Sequence, residues 1–183
     1  MEADTHRDDV QAIEAAIARQ FASLCWTPGT PADWAGFAAD FFPEASLYPA
    51  ARPAKRQTVE AFIERMKGLM RTKLRSFAEA VLGTEIHVFG NVAAALAACE
   101  MTENDADVQR GVEMLLLIKN EGTWQIVSQA WDTESPSQPI PMRLLGAQVP
   151  VWHVSHAALV ALQLVRHVLF RVPVRAWTVR SSR

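Results

Sequence analysis

Cysteine is nearly missing: Cys25 and Cys99 are the only two among 183 residues. Two thiols cannot staple a fold, so a disulfide-framed secreted scaffold is excluded. Neither has a CxxC neighbour, and small buried apolar side chains are the expected role. Net charge is also small, since 18 Lys and Arg face 20 Asp and Glu. With an apolar content of 50%, that balance excludes a disordered chain. It also argues against a dedicated nucleic-acid binder, which would carry a basic excess. No Gly-rich phosphate loop and no nucleophile elbow is present. The opening MEADTHRDDV is acidic and polar, so no signal peptide is visible and a cytoplasmic protein is expected. The five His are scattered. The close pair, His153 and His156, has no acid or Cys nearby, so neither a metal site nor a cofactor is expected.

Acids are missing from one region altogether. Residues 135–183 hold six Arg and no Lys, Asp or Glu, while residues 1–134 hold 12 basic and 20 acidic side chains, a net of −8. The change falls at Ser135–Pro141, which contains Pro136, Pro139 and Pro141. Proline removes backbone donors and resists both helix and sheet, so a boundary is read here. The expected division is a folded domain over 1–134, a Pro-rich linker over 135–150 and a basic amphipathic tail over 151–183. In that tail His156, Gln163, Arg166, His167 and Arg171 fall on one side of a helix. The segment is too short and interrupted to span a bilayer. Three readings stay open: a helix docking on the domain or on a dimer partner, an out-of-frame or disordered extension, and, ranked below these, contact with an anionic membrane.

Within 1–134 the apolar period first is helical and then becomes two. Val10, Ile13, Ile17, Phe21 and Leu24 form one stripe, predicting a helix over Arg7–Cys25. Pro31 opens a short second helix with Trp34, Phe37, Ala38 and Phe41 on one face. A short extended piece follows at Ser46–Pro49. A third helix starts near Thr58 with Val59, Phe62, Ile63, Met66 and Met70 inward. Four strands are predicted over 76–89, 92–103, 108–119 and 123–133. Turns at Gly90-Asn91, Asn104-Asp105 and Asn120-Glu121-Gly122 separate them. Short connections imply an antiparallel meander, and helices followed by strands imply an α+β domain.

Three passages carry a family resemblance: Phe41-Phe42-Pro43-Glu44-Ala45-Ser46-Leu47-Tyr48, Arg56-Gln57-Thr58-Val59-Glu60-Ala61-Phe62, and Gly111 to Trp131 with Gly122-Thr123-Trp124-Gln125-Ile126. In order and spacing, 1–134 resembles the nuclear transport factor 2-like superfamily, which includes SnoaL-like polyketide cyclases and ketosteroid isomerases. The resemblance implies a cone-shaped, cystatin-like α+β barrel: three helices on a curved antiparallel sheet around an apolar cavity, often paired as a homodimer through the sheet. It implies a small apolar ligand and, in catalytic relatives, proton transfer by an Asp or a His–Asp pair. Where many relatives place that Asp, this chain has Glu44. The fold also hosts non-catalytic binding or accessory modules, so it does not assign an activity.

Candidate residues are polar groups on otherwise apolar strand faces. Glu100 ends the run Val92, Ala94, Leu96, Ala98, and His87 shares a face with Phe89, Glu85 and Val81. These two are the candidate acid/base groups, with Tyr48 as a hydroxyl donor. Glu113, sharing a face with Leu115 and Leu117, and Arg110, beside Val112 and Met114, are candidate ligand contacts, as are Trp26, Glu44, Gln129 and Trp131. The alternative for Glu100, Arg110 and Glu113 is a cross-strand ion pair. If catalytic, the domain is expected to be an isomerase or lyase working without metal.

Overall fold

A computed structural model describes residues 2–145. The tail expected over 151–183, and the linker beyond Leu145, lie outside the described residues. Three helices and five strands occur in the order α1 (Glu2–Ser23), α2 (Trp34–Ala39), β1 (Phe41–Tyr48), α3 (Val59–Met70), β2 (Phe77–Phe89), β3 (Val92–Glu103), β4 (Asp107–Asn120) and β5 (Thr123–Thr133). None of the helices is long and apolar enough to cross a membrane.

The local chemistry explains the boundaries. Asp33 caps α2 by accepting from the Gly36 amide, and Thr58 caps α3 by accepting from the Ala61 amide, each meeting a helix-start donor that has no partner within the helix. The turns expected at Asn104-Asp105 and Glu121-Gly122 place these residues at positive φ, where Asn, Asp and Gly carry little penalty. Phe41, expected on the second helix, instead begins β1, because Asp40 already forms the C-cap of α2.

The sheet order is β1-β5-β4-β3-β2. β2 to β5 form the expected antiparallel meander, but β1 lies parallel to β5. The sheet is therefore mixed rather than antiparallel, and open, with β1 and β2 at its edges. All the chain from α3 to β4 separates β1 from β5, enough to return the strand in the same direction. Bulges break the ladders at Leu82 in β2 and Val127 in β5. Each inserts one unpaired residue and exchanges the faces of everything beyond it.

The helices cover one face of the sheet. Ile13, Ile17 and Phe21 of α1, Phe37 of α2 and Phe62 of α3 meet Leu115, Leu117 and Ile126 of the sheet in a single buried core. Burying side chains of this size stabilises the fold by about 1.5–3 kcal/mol each. Trp26 is 2% exposed, stacks on Phe77 at 5.1 Å and donates from Nε1 to the Leu74 carbonyl at 3.1 Å. The opposite face carries a smaller cluster, where Ile140 and Leu144 of the Pro-rich segment cover Ala98.

Candidate functional site

The inner face of the meander is apolar by alternation, and four polar side chains interrupt it. Glu79 on β2 lies between Phe77 and Val81. Cys99 on β3 follows Ala97. Glu113 on β4 precedes Leu115, and Gln129 on β5 precedes Trp131. All four are buried, and α1 adds Gln20, 1% exposed, from within its own apolar stripe. Gly111 lets this region close: a Cβ there would stand 2.6 Å from the Asp132 carbonyl oxygen.

These groups form one polar chain. Gln20 donates from Nε2 to Gln129 Oε1 at 3.4 Å, and Gln129 donates from Nε2 to Glu113 Oε2. The Glu79 and Glu113 carboxylates and the Cys99 thiol lie within 4.8 Å of one another. Burial pushes the Glu79 carboxyl up to about 7. Burial, then the adjoining Glu79 charge, raises Glu113 well above the usual range. Burial and both carboxylates likewise raise the Cys99 thiol. Two carboxyls this close in a dry site cannot both ionise cheaply, so a shared proton is the favoured state. The same trio has the spacing to surround a cation. It brings no imidazole, however, and Gln129 already occupies one Glu113 oxygen, so we read it as holding a proton.

A cavity of about 160 Å³ opens above this floor. Phe37, Leu47, Phe62, Met66 and Trp131 wall it, Glu79, Glu113, Gln20 and Gln129 reach into it, and Arg65 and Glu103 also line it. Phe62 meets Trp131 edge-on at 5.8 Å and stacks on Phe37 at 5.4 Å. A wider groove of about 400 Å³ runs on the other side of the sheet, beneath Pro139–Leu144. Its arginines are already matched, Arg52 with Asp132 at 3.2 Å and Arg143 with Glu85 at 2.5 Å, and Glu134 accepts from the Ile140 amide at 2.9 Å. The inner cavity joins an apolar wall to buried carboxyls, and we take it as the candidate site.

The structure separates the residues expected from sequence into two groups. Glu113, Gln129 and Trp131 come together in the cavity. Glu100, His87 and Tyr48 do not. Glu100 lies on the outer face and binds Arg110 at 2.7 Å, the cross-strand pair weighed as its alternative. His87 is exposed and pairs with Glu85 at 3.2 Å. Val81, expected on its face, points inward, because the Leu82 bulge intervenes. Tyr48 is 37% exposed, next to inward-facing Leu47. Glu44 is exposed within β1, at φ 66° where the register with β5 shifts, and its carbonyl accepts from Arg56 at 3.4 Å. Trp26 covers the core without lining the cavity. Glu79 and Gln20 were missed. Their signal is the same as that of Glu113: a polar side chain at a position where the apolar period requires a core residue.

No curated protein matches the sequence. Among solved structures, the chain is similar to a putative scytalone dehydratase from Novosphingobium aromaticivorans, at 15% identity and a TM-score of 0.60 over 73% of this chain and 89% of that one. It is similar to a Mycobacterium tuberculosis protein of unknown function at 21% identity and a TM-score of 0.61, over 91% and 90% of the two chains. A cystatin-like protein from Nostoc punctiforme aligns at 16% identity with a TM-score of 0.56, over 73% and 96%. At these identities the likeness establishes the nuclear transport factor 2-like, cystatin-like fold. Residues 8–132 match the family described as "Putative lumazine-binding", and on that match, which spans more than half of the sequence, the chain belongs to this family.

Proposed function

We propose that the cone holds one small, largely apolar ring molecule and that the Glu79–Glu113 pair exchanges a proton with its polar substituent. The observation that carries this reading is the position of two neighbouring carboxyls on the floor of an apolar cavity, with Glu79 titrating at about 7. A group half-protonated near neutrality both gives and takes a proton at little cost, which suits isomerisation or dehydration chemistry. Glu113, oriented by Gln129, is the positioned member, and Glu79 is the one that changes protonation. The family name supports a heteroaromatic ligand, because lumazine offers ring N–H and carbonyl groups to such a floor.

Isothermal titration with lumazine and with phenol between pH 5 and pH 9 tests the reading. Affinity is expected to change across pH 7 by about tenfold and to lose that dependence in Glu79→Gln. Absence of binding by both molecules, or a pH dependence unchanged in the variant, would overturn it.

The outer face suggests assembly as a homodimer through the sheet. Met114 and Leu116 are 59% and 50% exposed there, beside Val92 at 48%, and an apolar strip of this kind suits a self-complementary contact.

A further inference from the structure

Two polar groups that line the cavity, Gln20 and Arg65, are not explained by the proton-sharing pair. On the floor, Gln20 Oε1 is buried and has no hydrogen-bond partner. An unpaired buried acceptor is costly, and a ligand N–H or O–H placed there would satisfy it. Among the polar lining groups, Arg65 brings positive charge from α3. Its guanidinium lies 5.0 Å from the centroid of the Phe62 ring. Among the described residues it makes no ion pair or hydrogen bond, unlike Arg19, Arg52, Arg110 and Arg143, each of which binds a carboxylate. Arg65 lines the cavity while staying exposed to solvent, and partial desolvation lowers its pKa. Between these groups the walls are aromatic and aliphatic. A cavity of 160 Å³ compares with the roughly 150 Å³ of an engineered apolar cavity that accepts benzene.

We propose that the ligand is a small ring acid, with its carboxylate on Arg65 and a hydroxyl or ring N–H at the opposite end against Gln20 Oε1. This rests on the cone being the binding site, as argued above, and adds the ligand's charge and direction. A guanidinium pairs with a carboxylate through two parallel hydrogen bonds, which fixes orientation as well as strength. Beside the proton-sharing Glu79–Glu113 pair, Glu103 is a further acid among the lining residues. It makes no ion pair with Arg65, and it disfavours an anion there without neutralising the guanidinium.

Isothermal titration with 4-hydroxybenzoate, phenol and benzoate decides the matter. In the unaltered protein 4-hydroxybenzoate is expected to bind about tenfold more tightly than either single-ended ring. Arg65→Met abolishes its advantage over phenol and leaves phenol unchanged. Arg65→Lys restores part of it, and Glu103→Gln strengthens both acids. Gln20→Leu weakens 4-hydroxybenzoate and phenol but not benzoate. Phenol binding as tightly as 4-hydroxybenzoate, or an Arg65→Met protein with undiminished affinity for the acid, would overturn the proposal while leaving the cone as a neutral-ring site. Failure of all three rings to bind would overturn the ring acid, and failure of lumazine as well would overturn the cone as a binding site.

Discussion

On the outer face of the sheet, Glu85, Glu100 and Asp132 each stand beside an arginine, whereas on the inner face Glu79 and Glu113 stand beside each other. The side chains are of one chemical kind and the strands are shared. Only the partner and the water differ. Outside, Arg143 and His87 hold the Glu85 carboxyl below its usual range. Inside, no cation among the described residues bears on Glu79 or Glu113, and protons take the place of arginines. Asp9 marks an intermediate case: it is buried, yet Lys119 at 2.7 Å and the Trp124 indole at 3.0 Å keep its pKa low. Burial alone therefore does not set an acid's pKa on this scaffold: Lys119 and Trp124 hold buried Asp9 down, whereas desolvation raises buried Asp40 despite its Arg19 partner, and it raises Glu79 and Glu113 further, with no cation against either.

The contrast can be broken from the inside first. Glu79 has its folded pKa, about 7, above the ordinary 4.5, so the folded state binds that proton more tightly than the unfolded chain. Its contribution is fully present below pH 4.5 and is lost as pH rises through 7. Between pH 5 and pH 8 the unaltered protein is expected to lose on the order of 3 kcal/mol more stability than Glu79→Gln, measured by urea unfolding at each pH. Equal losses in the two proteins would mean that Glu79 is not held protonated. Gln129→Leu removes the donor that faces Glu113 and should cost about 2 kcal/mol near neutrality, and about as much at pH 5, because the raised Glu113 carboxyl stays neutral at both. On the outer face, Arg110→Ala should cost less than about 1 kcal/mol and lose even that in high salt. A larger, salt-insensitive loss there would erase the distinction between the faces.

Much of the fold was legible because it follows from period and punctuation. The α1 stripe, the α3 cap at Thr58 and the three hairpin turns depend on neighbours within a few residues. The pairing of β1 with β5 joins positions about 85 apart in sequence, and no local pattern encodes it. The site was legible in part for the same reason. Glu113 lies in an unbroken alternation, so its inward direction could be read. His87 lies beyond the Leu82 bulge and Glu100 lies on a strand with apolar residues on both faces, so alternation could not choose between inside and outside. Glu79 followed the rule that identified Glu113, but it stands close to the start of its strand, where only Phe77 precedes it on that face.

The extra residue at Leu82 also bears on how such a cavity changes over time. As β2 stands, Thr84, Ile86 and Val88 face the helices, while Glu85, His87 and Phe89 face away. Were the insertion displaced to the end of the strand, the second set would turn inward with no side chain replaced. An acid, an imidazole and a phenyl ring would then line the interior in place of two aliphatic groups and a hydroxyl. One strand thus stores two alternative linings, and the position of a single unpaired residue selects which one a ligand meets.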